Sequence, residues 1–254
     1  MAVDLPFIGL VLGFLVIATL YSSVGFGGGS SYLALLALFL PNFLEIKSTA
    51  LLCNLVVVMG STYLFCKEGL FDGRKFLPLV LCSVPAAFLG ATFSLSQPVF
   101  FVCLGLVLAF SGALLMLQFF TLPLARQMTY APASKILNPF LGAGAGFVSG
   151  LVGIGGGILV SPVLHLLKWG PPKSIAALAS FFILVNSLAG LAGQLAGNNF
   201  KVDPAILFPL LLAVLVGGQL GTRLSLHRIP PQAVKGLTGL FVLGIGLKLV
   251  FTYV

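Results

Sequence analysis

The sequence predicts an all-α polytopic membrane protein made of two inverted repeats, each with a glycine-broken hairpin and three further transmembrane helices. Three observations carry this prediction. Of the 254 residues, 59% are hydrophobic and only 7% charged, and the mean hydropathy is +1.17, more apolar surface than a soluble domain can bury. Stretches without a charged residue run long enough to cross a hydrocarbon core of roughly 30 Å: Leu5–Gly29, Ser48–Cys66, Phe76–Thr121, Ser174–Phe200 and Pro204–Thr222. Finally, "VGFGGGSS" at Val24–Ser31 returns as "VGIGGGIL" at Val152–Leu159.

The glycine motif is one of several matches in the same order. "IKSTAL" at Ile46–Leu51 resembles "PKSIAAL" at Pro172–Leu178, "LGATFSL" at Leu89–Leu95 resembles "LGTRLSL" at Leu220–Leu226, and Asp72 and Pro78 match Asp203 and Pro209. A duplicated chain explains them, with a first repeat over 1–127 and a second over 128–254 forming one transport domain. The first half divides into Leu5–Ser23, Ser30–Leu40, Lys47–Phe65, Phe76–Leu95 and Pro98–Phe119. The second divides into Ser134–Leu151, Ile158–Leu167, Ser174–Ala196, Pro204–Thr222 and Gln232–Phe251. At about 1.5 Å per residue, the second segment of each half reaches only about half of the core.

The basic residues choose between two topologies. If each glycine hairpin goes in and returns, Lys67, Arg74, Lys75, Arg126, Lys135, Lys168, Lys173, Arg223, Arg228 and Lys235 share one side, opposite Lys47, Lys201 and Lys248, ten against three. Joining each long and short segment into one broken span divides the same residues seven to six. The positive-inside rule selects the first arrangement, which inverts the halves and places both termini outside. The chain opens "MAVDLPF" without a basic n-region, so its first segment is expected to persist as a helix. Because the basic residues lie singly in short loops, the net charge of +8 reads as membrane orientation rather than nucleic-acid binding.

Cys53, Cys66, Cys82 and Cys103 lack paired C-x-x-C spacing and read as small core residues. His165 and His227 have no acidic neighbour at helical spacing, so neither a metal nor another cofactor is expected. No nucleophile–base pair suggests an enzyme. Asp4, Glu45, Glu68, Asp72 and Asp203 all stand at segment edges, leaving no buried carboxylate for a proton relay.

Inverted halves would bring the two glycine hairpins together near mid-membrane, where unwound backbone is tolerated only around a protein-enclosed or watery cavity. The short helices starting near Ser30 and Ile158 would then aim two N-termini, with free N–H groups and partial positive charge, at a small anion. The expected substrate-binding residues are Ser23, Gly25, Gly27, Gly28, Gly29, Ser30, Ser31, Asn54, Gly153, Gly155, Gly156, Gly157, Ser180 and Asn186. Ser22, Tyr32, Ser149 and Gln194 are secondary candidates, and Arg223 is a candidate attractor at the cytoplasmic mouth. Gly142, Gly144 and Gly146 read instead as helix-packing positions.

With "VGFGGG", "VGIGGGILVSPVL", "PKSIAALAS" and "GGQLGTRLSL", nearly the whole chain resembles the sulfite exporter TauE/SafE family of bacterial membrane proteins. The resemblance implies transport of small sulfur-containing anions, sulfite or organosulfonates, usually outward across the cytoplasmic (inner) membrane. The partners it implies are that anion and the lipid bilayer, with homo-oligomerisation left open. A passive anion channel and an importer of a related sulfur compound remain the alternatives. Pro162 stands where the first copy has Ala34, so the two hairpins are expected to differ in shape.

Overall fold

The computed structural model describes residues 5–93, 95–121, 137–227 and 231–253, and every regular element among them is an α-helix. The first half holds α1 (Leu5–Ser22), α2 (Gly29–Leu36), α3 (Phe43–Lys67), α4 (Gly73–Thr92) and α5 (Gln97–Thr121). The second holds α6 (Leu137–Val152), α7 (Gly157–Leu166), α8 (Pro172–Ala196), α9 (Pro204–His227) and α10 (Pro231–Tyr253). The expected repeat boundary near residue 127 lies outside the described residues, as do Arg126, Lys135 and Arg228. Among the described residues five helices are long and apolar enough to cross a membrane: α3, α4, α5, α8 and α9. Leu12, Phe140, Leu212 and Phe251 are among many large apolar side chains pointing outward, as lipid contact requires.

Local chemistry sets the helix ends. Asn42 caps α3 by accepting the Leu44 N–H (3.1 Å), with Glu45 in the first turn and Lys67 in the last, both complementary to the helix dipole. Asp72 caps α4, and Pro172 opens α8 at a position where its missing N–H costs nothing. The caps of α2 and α7 differ: Gly28 (φ 89°) and Gly156 (φ 76°) are left-handed and offer no side-chain acceptor. Glycine is the residue that takes this conformation without a Cβ penalty.

The packing registers fix the direction of each helix. On α6, Gly142, Gly146 and Gly150 lie in step against the Leu79, Ser83 and Ala87 carbonyls of α4, so these helices run parallel. α4 also runs parallel to α8, with Ser83 bonded to Asn186 (2.9 Å) and Phe88 against Gly193. α6 and α8 therefore begin at the same end of the bundle, and α7 carries the chain back. The first half repeats the pattern. Gly217 and Gly221 of α9 meet Leu15 and Thr19 of α1, while Val57 and Ser61 of α3 meet Gly218 and Thr222, so α1 and α3 begin at one end.

The matching helices of the two halves run antiparallel. Ser48 of α3 bonds Gln194 of α8 (2.8 Å), and Asn54 bonds Ser187 (3.4 Å). In α5 and α10, Gly105 meets Val250 and Gly112 meets Leu243. The two glycine hairpins consequently come into the bundle from opposite ends. Each principal helix contact also has a counterpart when the halves are exchanged: α4–α6 with α1–α9, α4–α8 with α3–α9, and α2–α3 with α7–α8.

Candidate functional site at the hairpin junction

The two glycine turns meet at Asn54, a fully buried residue midway along α3. Its Oδ1 accepts the Gly29 N–H at 3.2 Å, the first N–H of α2. Its Nδ2 points the other way, toward the Ile154 carbonyl (3.5 Å) and the Ser187 hydroxyl (3.4 Å). One carboxamide thus bridges the first hairpin, the second hairpin and α8. Glycine is needed for this approach, since a Cβ on Gly27 would collide with Asn54 Oδ1 and one on Gly155 with Asn54 Nδ2.

The crossing is reciprocal. Ser180, which the sequence repeat aligns with Asn54, donates from α8 to the Gly25 carbonyl of the first hairpin (3.0 Å). A Cβ on Gly25 would strike the Ala176 backbone of the same helix. Each third helix therefore reaches across to the glycine turn of the other half. Around the first turn, the buried Tyr21 and Ser31 hydroxyls bond one another, and Tyr32 stacks on Phe14 with ring centroids 4.5 Å apart. Among the described residues the Tyr32 hydroxyl, beside Gly28, has no partner, and the same holds for the Ser149 hydroxyl next to Gly156.

Of the sequence-derived candidates, Gly25, Gly27, Gly29, Asn54, Gly155 and Ser180 converge at or beside this junction. Gly28, Gly156 and Gly157 flank it as caps or first residues of the short helices, and Ser30 and Ser31 are buried in the first turn of α2. Gly153 instead lies beneath the side chain of Lys47. The remainder stand apart. Ser23 bonds the Leu20 carbonyl of its own helix (2.6 Å), and Asn186 turns to Ser83 of α4 and to Phe182. Gln194 pairs with Ser48, and Arg223 is exposed near the end of α9.

Two residues escaped the sequence reading. Ser187 sits seven positions after Ser180, and Lys47 seven positions before Asn54. In both cases the spacing returns to the same helix face after two turns, and that was the available signal. Lys47, treated in the sequence as a loop residue for topology, is in the second turn of α3 and only 4% exposed. It reaches the second hairpin because α3 packs beside α8 at the point where α6 ends. Among the cysteines only Cys53 is fully buried, and Cys66 is exposed near the end of α3. The expectation of four core cysteines holds for Cys53, and Cys103 packs half-buried against the same core.

Among the described residues, ten helices, two glycine-broken hairpins that meet across the bundle and an apolar exterior make up the architecture of a polytopic membrane protein. The comparisons with known proteins specify which. The sequence profile of the family described as "Sulfite exporter TauE/SafE" matches residues 10–249, and the chain belongs to that family. It is 35% identical over 250 residues to the "Probable membrane transporter protein y4hK" of Sinorhizobium fredii, covering 98% of this chain and all of that protein. It is 24% identical over 275 residues to the "Probable membrane transporter protein YunE" of Bacillus subtilis, covering 97% of this chain and 98% of the relative. A probable membrane transporter of Methanocaldococcus jannaschii is 31% identical over 42% of this chain and 45% of its own length. No solved structure matches the chain at a significant level.

Proposed function

We propose that this transporter exports sulfite or a small organosulfonate from the cytoplasm, through two inverted repeats whose glycine hairpins meet on the substrate path. The carrying observation is the bridge made by Asn54 between the two hairpins. Three donors gather there: the Gly29 N–H, Asn54 Nδ2 and the Ser187 hydroxyl. The Nδ2 contacts, at 3.4 and 3.5 Å, are longer than the usual 2.9–3.0 Å of an N–H···O bond, so an anionic oxygen that displaces them gives up little. A charge-assisted hydrogen bond to an oxyanion is roughly twice as strong as the neutral one it replaces. The start of α2 adds the positive end of its dipole.

The antiparallel registers of α3 with α8 and α5 with α10 support the inversion, as does the excess of basic residues on one side. Lys47 is buried and drops out of that tally, leaving ten residues against two, Lys201 and Lys248. Both termini then face outside, and the protein lies in the bacterial cytoplasmic membrane. An uncoupled anion would leave a cell that is negative inside down the membrane potential. The family description and the relatives' names, a sulfite exporter and probable membrane transporters, support a transporter over an enzyme.

The test is flux through purified protein in liposomes, comparing sulfite with sulfate, thiosulfate, sulfoacetate and taurine, with and without a membrane potential. Selective, saturable, potential-driven movement of sulfite or a sulfonate is the expected result. Large single-channel currents would make the protein a passive anion channel instead. No movement of any of the five would overturn the substrate assignment.

A further inference from the structure

The proposed path is built from neutral groups, yet one cation is buried beside it. Lys47 is 4% exposed, and its Nζ donates to the Leu151 carbonyl at 2.9 Å, in the last turn of α6. Its aliphatic stem runs across Gly153, where a Cβ would meet Lys47 Cγ at 2.8 Å and Cε at 3.3 Å. An ammonium carries three N–H donors. One is used, and among the described residues no carboxylate pairs with it, the described ion pair being Lys75 with Asp72 at the surface (3.4 Å).

Burying an ion without a counter-charge costs several kcal/mol, and one backbone carbonyl does not repay that. A latch at the C-terminus of α6 would account for the carbonyl bond but needs no more than a neutral donor. The repeat makes the contrast internal: Lys173, aligned with Lys47 in the second half, is exposed. Lys47 also lies seven residues before Asn54, on the same face of α3, so the two side chains bracket the second glycine turn.

We propose that Lys47 is the fixed positive charge of the substrate path. The transported oxyanion pairs with its ammonium beside Gly153 as it moves to or from the Asn54 junction. This assignment rests on the anion-transport reading above and extends it by naming the charge partner. It also implies a preference for anions with a compact, highly charged head over neutral solutes of the same size.

The experiment uses full-length Lys47→Gln and Lys47→Arg with the wild type. Glutamine keeps an N–H for the Leu151 carbonyl and removes the charge, whereas arginine keeps both. Each protein is assayed for sulfite and sulfoacetate flux in phosphatidylcholine vesicles under an imposed potential, and for thermal stabilisation by the same anions in detergent. The expected result is a loss of roughly tenfold or more in flux for Lys47→Gln, with the anion-induced stabilisation gone, and retention of both by Lys47→Arg. Lys47→Gln moving sulfite within about twofold of wild type would overturn the assignment, since a lost charge partner costs more than that. So would loss of flux with anion stabilisation intact, because Lys47 would then be only a latch. If Lys47→Gln does not fold, Lys47→Arg decides: unaltered stabilisation by both anions supports the charge role, and its loss opposes it. A wild type inert to every anion would sink the parent reading and this assignment together, whereas an active wild type with an indifferent Lys47→Gln sinks only the latter.

Discussion

The two glycine hairpins share a sequence device but are held differently. The first turns into an eight-residue helix whose outer side, with α10, borders a cavity of about 260 Å³ lined by Ser31, Ala34, Lys248 and Thr252 among others. The second turns into a ten-residue helix held from outside by Gln118 of α5, whose amide donates to the Pro162 carbonyl at 2.6 Å. Pro162 stands where the first copy has Ala34, so the hairpins differ at the residue where the sequence motifs part. The second hairpin is also met by the buried Lys47 of α3, while the first is held at Gly25 by the neutral Ser180 of α8. The two turns share a backbone form, while their side-chain surroundings leave one helix beside a cavity and the other bonded by Gln118 and approached by Lys47.

This comparison can be broken most severely at the junction. Replacing Gly27 by Val puts a side chain into the position of Asn54 Oδ1, and should abolish flux by roughly a hundredfold or more while membrane-inserted protein is still recovered. Flux assays on reconstituted protein check this, and Gly155→Val should match it if both turns face one path. Next comes the scaffold. Gly146→Val drives a branched side chain into the Ser83 backbone and should destabilise by about 2–3 kcal/mol or more in thermal unfolding, through separation of α4 and α6. Gly144→Ala, two residues away with nothing nearby, should not destabilise and should gain about 0.5–1 kcal/mol from the higher helix propensity of alanine.

Smaller effects sharpen the asymmetry. Gln118→Leu leaves the Pro162 carbonyl without its donor and should cost about 1–2 kcal/mol of stability, loosening the second hairpin toward the openness of the first. Faster hydrogen exchange confined to α7 would report it. Tyr32→Phe removes a hydroxyl that has no partner among the described residues and keeps the stack on Phe14, so melting should move by an amount equivalent to less than about 0.5 kcal/mol. A drop in flux with unchanged melting would place that hydroxyl on the substrate path.

The helices and their lengths were legible because apolar runs and capping residues are local signals. The short α2 and α7 followed from the distance between the glycine triplet and the next turn. The basic residues gave only an expectation of helix direction, whereas the relative directions lie in packing registers between distant residues. The small-residue reading of Gly142 and Gly146 was sound because a helix face of glycines has few uses other than close approach, although Gly144 points into open space. The hairpin junction was legible in its backbone and much less in its side chains. Asn54 and Ser180 stood out as polar residues in apolar helices, but so did Asn186 and Gln194, which serve helix packing. Which amide faces a glycine turn depends on helix rotation and register, and these are set by contacts between residues more than a hundred positions apart. Lys47 was misplaced for a related reason: its position near a helix start looks like a loop cation unless the helix packed over it is known.

The most direct test of the central claim is potential-driven sulfite flux through Asn54→Leu compared with wild type, with the melting temperature of each recorded alongside. Leucine fills a similar volume and removes the bridge. If the hairpin junction is on the substrate path, flux should fall by roughly a hundredfold while the protein still melts cooperatively, with a cost of about 1–3 kcal/mol for the lost hydrogen bonds. Wild-type flux through folded Asn54→Leu would contradict the account and leave the two glycine hairpins as packing devices.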